Sequence, residues 1–110
     1  MSKDDLIRVK HILDASREAV QFLENRDRKD LDSDRMLSLS IVRLLEIIGE
    51  AAKGVSIKTK EEYPDIPWKE MTGIRDRLIH GYFDVDMEIV WKTVREDIPA
   101  LINLLDKVKI

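Results

Sequence analysis

Residues Gly73–Asp86 read GIRDRLIHGYFDVD, and they bring a cation, a carboxylate, an imidazole and a phenol together at Arg75, Asp76, His80 and Tyr82. Each type has a use in phosphate chemistry. An imidazole exchanges protons near neutral pH and so serves as general acid or base. A guanidinium neutralises charge building on a phosphoryl oxygen, and its planar fork fits that oxygen pair better than an ammonium does. A carboxylate beside them orients the imidazole or the nucleophile. Without an accompanying set of metal ligands, the reaction that suits this group is RNA cleavage by the adjacent 2′-hydroxyl, which needs no cofactor. Two other readings compete with that one. In the first, Arg75 and Arg77 pair with acidic neighbours, His80 caps a helix and Tyr82 is half buried. In the second, the surface binds a nucleotide or a partner protein without doing chemistry. Spacing alone leaves all three open.

The elements that must position these residues are helical by pattern. Gly81 reads as the glycine just past a helix end, free to take the left-handed conformation. That places His80 at the last helical position and Tyr82 just outside. On such a helix Asp76 and His80, at i and i+4, share a face, whereas Arg75 and His80 lie about 140° apart. Arg75 then reaches the imidazole only through its length and the fraying of the helix end.

The rest of the chain supplies a frame. With 110 residues, 44% hydrophobic and 37% charged, it is large enough for one core but short of two, so residues 1–110 are expected to form one domain. Cysteine is absent, which excludes disulfides, thiolate nucleophiles and cysteine-bound metals. No charged-then-apolar leader and no membrane-length apolar run is visible, so a cytoplasmic protein is expected. A net charge of −3 argues against indiscriminate nucleic-acid binding but leaves room for a local basic cluster.

Ser2 and Asp5 resemble a capping box opening a helix from Lys3 to about Glu24. His11 on that helix is read as a surface residue. Glu24–Arg35 carries nine charges among twelve residues and reads as a solvated connection. Ser33 or Asp34 then caps a second long helix with two apolar seams. Leu37, Ile41, Leu44, Ile48, Ala51 and Val55 form one seam, and Val42, Leu45, Gly49 and Ala52 form the other. That width suits a bundle centre or a helix shared with a partner subunit, and Gly49, Ala51 and Ala52 would let another backbone come close. Glu46 and Glu50 have the spacing of paired metal ligands but lack matching partners on other helices, so no metal site is expected. Prolines at 64 and 67 break the chain; Trp68 reads as a core anchor, with base stacking as the weaker alternative. Asp84 or Asp86 caps a last helix, which Pro99 kinks or restarts. No stretch reads as a strand. The expected fold is an all-α bundle of four to five helices, homodimeric through the second helix.

IGEAAK at Ile48–Lys53, YPDIPW at Tyr63–Trp68, GIRDRLIHGYFDVD and the VW pair at Val90–Trp91 occur in order, and together they resemble the HepT-like branch of the HEPN superfamily. The resemblance runs from the second helix almost to the C-terminus. It implies a homodimeric all-α ribonuclease toxin partnered by a minimal nucleotidyltransferase antitoxin (MNT-type), with no cofactor. It also implies that Arg75, Asp76 and His80 are the catalytic residues and that Tyr82 is the residue to which the antitoxin adds AMP. Arg77 and Lys53 are candidates for holding the RNA. The branch often has asparagine after the motif arginine; Asp76 here would favour the imidazolium of a nearby His80. The alternative within the superfamily is a non-catalytic subunit that docks a nucleotidyltransferase or binds a nucleotide.

Overall fold

The computed structural model describes residues 1–81 and 84–108. Helix α1, Lys3–Phe22, opens on Ser2, whose hydroxyl accepts the Asp5 amide at 3.1 Å. Half of the expected capping box is therefore present. The other half is redirected, because the Asp5 carboxylate accepts instead from the Ser56 amide at 3.0 Å and from the Thr59 hydroxyl at 2.6 Å. Ser56 is itself the N-cap of helix α4, Ile57–Glu62. A buried carboxylate thus ties the first turn of α1 to the first turn of a helix some fifty residues later.

The charged connection after α1 is less solvated than its composition suggests. It contains the short helix α2, Asp30–Ser33, whose Leu31 is buried. Arg28 bonds Asp32 at 3.0 Å and Glu88 at 2.7 Å. Arg95, stacked 4.5 Å over the Trp91 ring, donates to the carbonyls of Leu23 and Arg26, each at 2.8 Å.

Asp34 caps helix α3, Arg35–Gly54, by accepting the Leu37 amide at 3.1 Å. Both of its apolar seams are covered within the chain. Ile41 and Ile48 of the first, and Leu45 and Ala52 of the second, are completely buried. The backbone admitted by Gly49 belongs to this same chain: a Cβ there would sit 3.0 Å from the Ile74 Cγ2 and 3.1 Å from the Met71 carbonyl oxygen. Those residues belong to α5, Trp68–Thr72, and α6, Ile74–Leu78, which pack on α3 with Gly73 as the break between them. Trp68 is a core residue, and its indole donates to the Tyr63 carbonyl at 3.0 Å.

The largest departure from the sequence reading follows α6. The helix stops at Leu78, and Ile79 is extended (φ −112°, ψ 120°). Strands β1, Ile79–His80, and β2, Asp84–Val85, pair antiparallel, with Ile79 opposite Val85 and His80 opposite Asp84. The Asp86 amide closes the base of this hairpin on the Leu78 carbonyl at 2.8 Å. Gly81 does adopt a left-handed backbone, φ +83°, but in the turn of a hairpin and not beyond a helix.

Asp86 then caps α7, Met87–Lys92, accepting the amides of Glu88 and Ile89 at 3.0 and 3.2 Å. The helical path continues through a π-helical stretch, Thr93–Asp97, into α8, Ile98–Asp106, with Pro99 in its first turn. Proline has no amide hydrogen and its ring collides with the carbonyl four residues earlier, so a widened turn just before it keeps the path helical. Pro99 stands at the start of α8, directly after this widened stretch. The chain is mostly helical, as expected, but it divides into more segments than four or five. No helix of the described residues is long and apolar enough to cross a membrane.

Candidate active site

Arg75 stands in the first turn of α6, and the packing of that helix over Gly49 brings it to α3 beside Glu46. Its Nε donates to Glu46 Oε2 at 3.2 Å, with the arginine side chain 55% exposed and the glutamate 25%. Among the described residues this is the one charged contact made by Arg75. Both residues line a groove of about 650 Å³ between α3 and the hairpin. Leu39, Val42, Ile79, Val85 and Met87 give it apolar walls, and Arg35, Ser38 and Asp84 add polar groups. Its volume falls in the range of small-ligand sites, and Arg35 and Arg75 both stand on its wall.

His80 adjoins this groove through Ile79 but is not one of its lining residues; it is exposed on β1. The residue facing it across the hairpin is Asp84, which does line the groove. Directly opposed residues of an antiparallel pair have Cβ atoms about 5 Å apart, so a carboxylate stands beside the imidazole. It is not the one expected. Asp76, exposed on α6, would share a face with His80 only if the helix ran on to residue 80, and it ends two residues short. The i, i+4 relation on which an effect of Asp76 on the imidazole rested is therefore absent.

Arg77 projects elsewhere. It lines a separate cleft of about 300 Å³ that also carries Glu70, Glu96 and Asp97. Lys53 is exposed in the last turn of α3, seven residues beyond Glu46 and hence on the same face about 10 Å further along. Tyr82 lies outside the described residues, as does Phe83. Among the described residues no group of three or more histidine, aspartate or glutamate side chains could hold a metal ion, and Glu46 engages Arg75 instead of pairing with Glu50.

Two residues that stand beside Arg75 and His80 lay beyond the sequence reading. Glu46 was legible only as half of a metal pair, since its true partner is 29 positions away. Asp84 was legible only as a helix cap, because the hairpin that sets it opposite His80 was not anticipated.

The chain is small and mostly helical, with Arg75 on a packed helix and His80 on the hairpin directly after it. The family model described as Ribonuclease HepT-like matches residues 12–108. The chain is 41% identical to "Probable ribonuclease HepT" of Thermococcus cleftensis over 91% of its own length and 94% of that protein. It is 38% identical to "Putative RNase MJ1380" of Methanocaldococcus jannaschii, covering 82% of this chain and 83% of that one. With "Putative RNase TTE0752" of Caldanaerobacter subterraneus subsp. tengcongensis it shares 39% identity over 84% and 83% of the two chains. No solved structure matches it significantly. The chain belongs to the HepT-like ribonuclease family, and with it to the RNA-cleaving enzymes.

Proposed function

We propose that this chain is a metal-independent endoribonuclease whose motif Arg75–His80 acts on a phosphodiester held at the α3–hairpin groove. The observation that carries the proposal is the placement of Arg75 on the wall of that groove, directly beside the hairpin that bears His80. In the reaction a base takes the proton of the ribose 2′-hydroxyl and that oxygen attacks the adjacent phosphorus. The bond to the 5′-oxygen breaks, and the departing alkoxide takes a proton. The products are a 2′,3′-cyclic phosphate and a 5′-hydroxyl, with no water consumed. His80 is the proton-transfer group. Arg75 takes the charge on the non-bridging oxygens. Asp76 remains the family's third motif position, acting from α6, and Lys53 extends the RNA contact along α3; Arg77, in the separate acidic cleft, is not part of it.

The same reading makes the chain the toxin of a toxin–antitoxin pair, homodimeric and cytoplasmic, silenced by a minimal nucleotidyltransferase antitoxin. The Tyr82 phenol gives up its proton as its oxygen attacks the α-phosphorus of ATP, pyrophosphate leaves, and AMP remains on the ring. Residues 1–110 act as one HEPN-like domain.

The test is cleavage of single-stranded RNA in EDTA by purified protein, with the ends of the products identified. His80→Ala is expected to lose about two to four orders of magnitude in rate. Arg75→Lys is expected to be severely impaired, because a point charge does not reproduce the paired contacts of the fork. Wild-type rates in both variants would assign the activity to another site. One observation favours a second reading, that of a non-catalytic docking subunit: His80 stands outside the lining of the groove that holds Arg75. Absence of any His80-dependent cleavage would decide for it.

A further inference from the structure

The Arg75 guanidinium is not presented to the groove on a free side chain. It is held at one edge by a carboxylate from another helix, with Nε donating to Glu46 Oε2 at 3.2 Å. A guanidinium has five N–H donors in a fixed plane, one on Nε and four on the terminal nitrogens. Using the Nε edge for Glu46 fixes the rotation of the plane and leaves the four terminal hydrogens as a fork for an oxyanion. An unheld arginine would first have to lose the freedom of its long side chain at every encounter with substrate.

Glu46 is well placed for this task. It stands one turn before Gly49, the residue whose missing side chain lets α5 and α6 approach α3, so the spacing between Glu46 and α6 is set by backbone packing. The pair is also a poor candidate for holding the fold together. The arginine is more than half exposed, and ion pairs so open to solvent contribute little to folding stability. A carboxylate in a groove meant for a polyanion works against RNA binding, so its presence there needs a reason other than affinity.

We propose that Glu46 is a positioning residue for the cleavage reaction, orienting Arg75 through its Nε edge so that the terminal nitrogens meet the scissile phosphate. This inference rests on the ribonuclease reading above. It makes opposite demands on the two kinetic constants. Without the carboxylate, RNA is repelled less and KM is unchanged or lower. The guanidinium is no longer aligned and kcat falls, because small displacements of a group acting in the transition state are costly.

The experiment compares Glu46→Ala and Glu46→Gln with wild type on one single-stranded RNA, alongside thermal melts. Glu46→Ala should lower kcat by about 10- to 100-fold without raising KM, and its melting temperature should match wild type within a few degrees. Glu46→Gln keeps an acceptor oxygen and should recover part of the lost kcat. In an Arg75→Lys background, which retains no Nε to hold, Glu46→Ala should change the residual rate by less than about two-fold. A kcat unaffected by Glu46→Ala overturns the proposal, as does an equal loss in the two backgrounds. Those results leave the ribonuclease reading standing. That reading falls if wild type does not cleave, or if Arg75 and His80 variants cleave as wild type does, and Glu46 falls with it.

Discussion

Arg75 and His80 are each set beside a carboxylate, Glu46 and Asp84, and both carboxylates line the groove. Of these two pairs, only Arg75–Glu46 is an ion pair among the described residues. Tyr82, two residues past His80, is where the proposed control would act. Under that proposal AMP on its oxygen would add bulk and a phosphodiester charge two residues along the chain from His80, and RNA would meet steric exclusion and like-charge repulsion. Co-expression with the cognate nucleotidyltransferase should add the mass of one or more AMP groups to wild type and abolish cleavage. Tyr82→Phe should keep cleavage and escape both changes; an identical adduct on the two proteins would place the modification elsewhere. At this scale the sequence was informative where chemistry and spacing are local. Arg75, His80 and Tyr82 are visible within one short run, and the IGEAAK and YPDIPW blocks gave that run its meaning. Glu46 was out of reach, since nothing local pairs a glutamate with an arginine one helix away.

Asp5 shows how an element's fixing can hide in an apparently ordinary cap. Its carboxyl pKa is lowered to about 2, first by the hydrogen bonds from the Ser56 and Thr59 hydroxyls and then by the Ser56 amide, against the opposing cost of burial. Because the folded value lies below the unfolded one of 3.8, the linked stability is fully present above about pH 4 and is lost as pH falls toward 2. The difference corresponds to about 2 kcal/mol. Urea unfolding followed from pH 6 to pH 2.5 should show this loss in wild type. Asp5→Asn should be less stable than wild type at neutral pH by about 1–3 kcal/mol and have a flatter acid limb; parallel curves for the two proteins would refute the assignment. The long helices were legible because their stripes run over many turns and their caps, Ser2, Asp34 and Asp86, are strong local signals. The hairpin was not. A two-residue ladder is too short to leave an alternating pattern, and Ile74, Leu78 and Ile79 continue a helical spacing that the structure abandons at Leu78.

For the molecule as a whole, the covered seams of α3 leave less apolar surface for a homodimer than the sequence suggests. The two seams of α3 were to be shared with a partner because a small bundle could not cover both, yet α1, α2, α5 and α6 pack against them. What remains on α3 is its outer face, where Met36 is 81% exposed and Leu39 54%, beside the groove that holds Arg75. The dimer we propose uses that face, which brings two grooves together. Sedimentation at micromolar concentration should give the mass of two chains, and Met36→Glu with Leu39→Glu should reduce it to one without lowering helicity. A wild-type monomer under those conditions refutes the proposal.

The hairpin that carries His80 has a wider consequence. Arg75 rides on a helix seated against the core, whereas His80 rides on two strand pairs and one backbone bond at their base. So short a ladder has almost no stability of its own. What anchors it otherwise is Ile79 and Val85, packed against the core, so under the proposed role of His80 loss of activity should precede loss of fold only as far as those two contacts give way first.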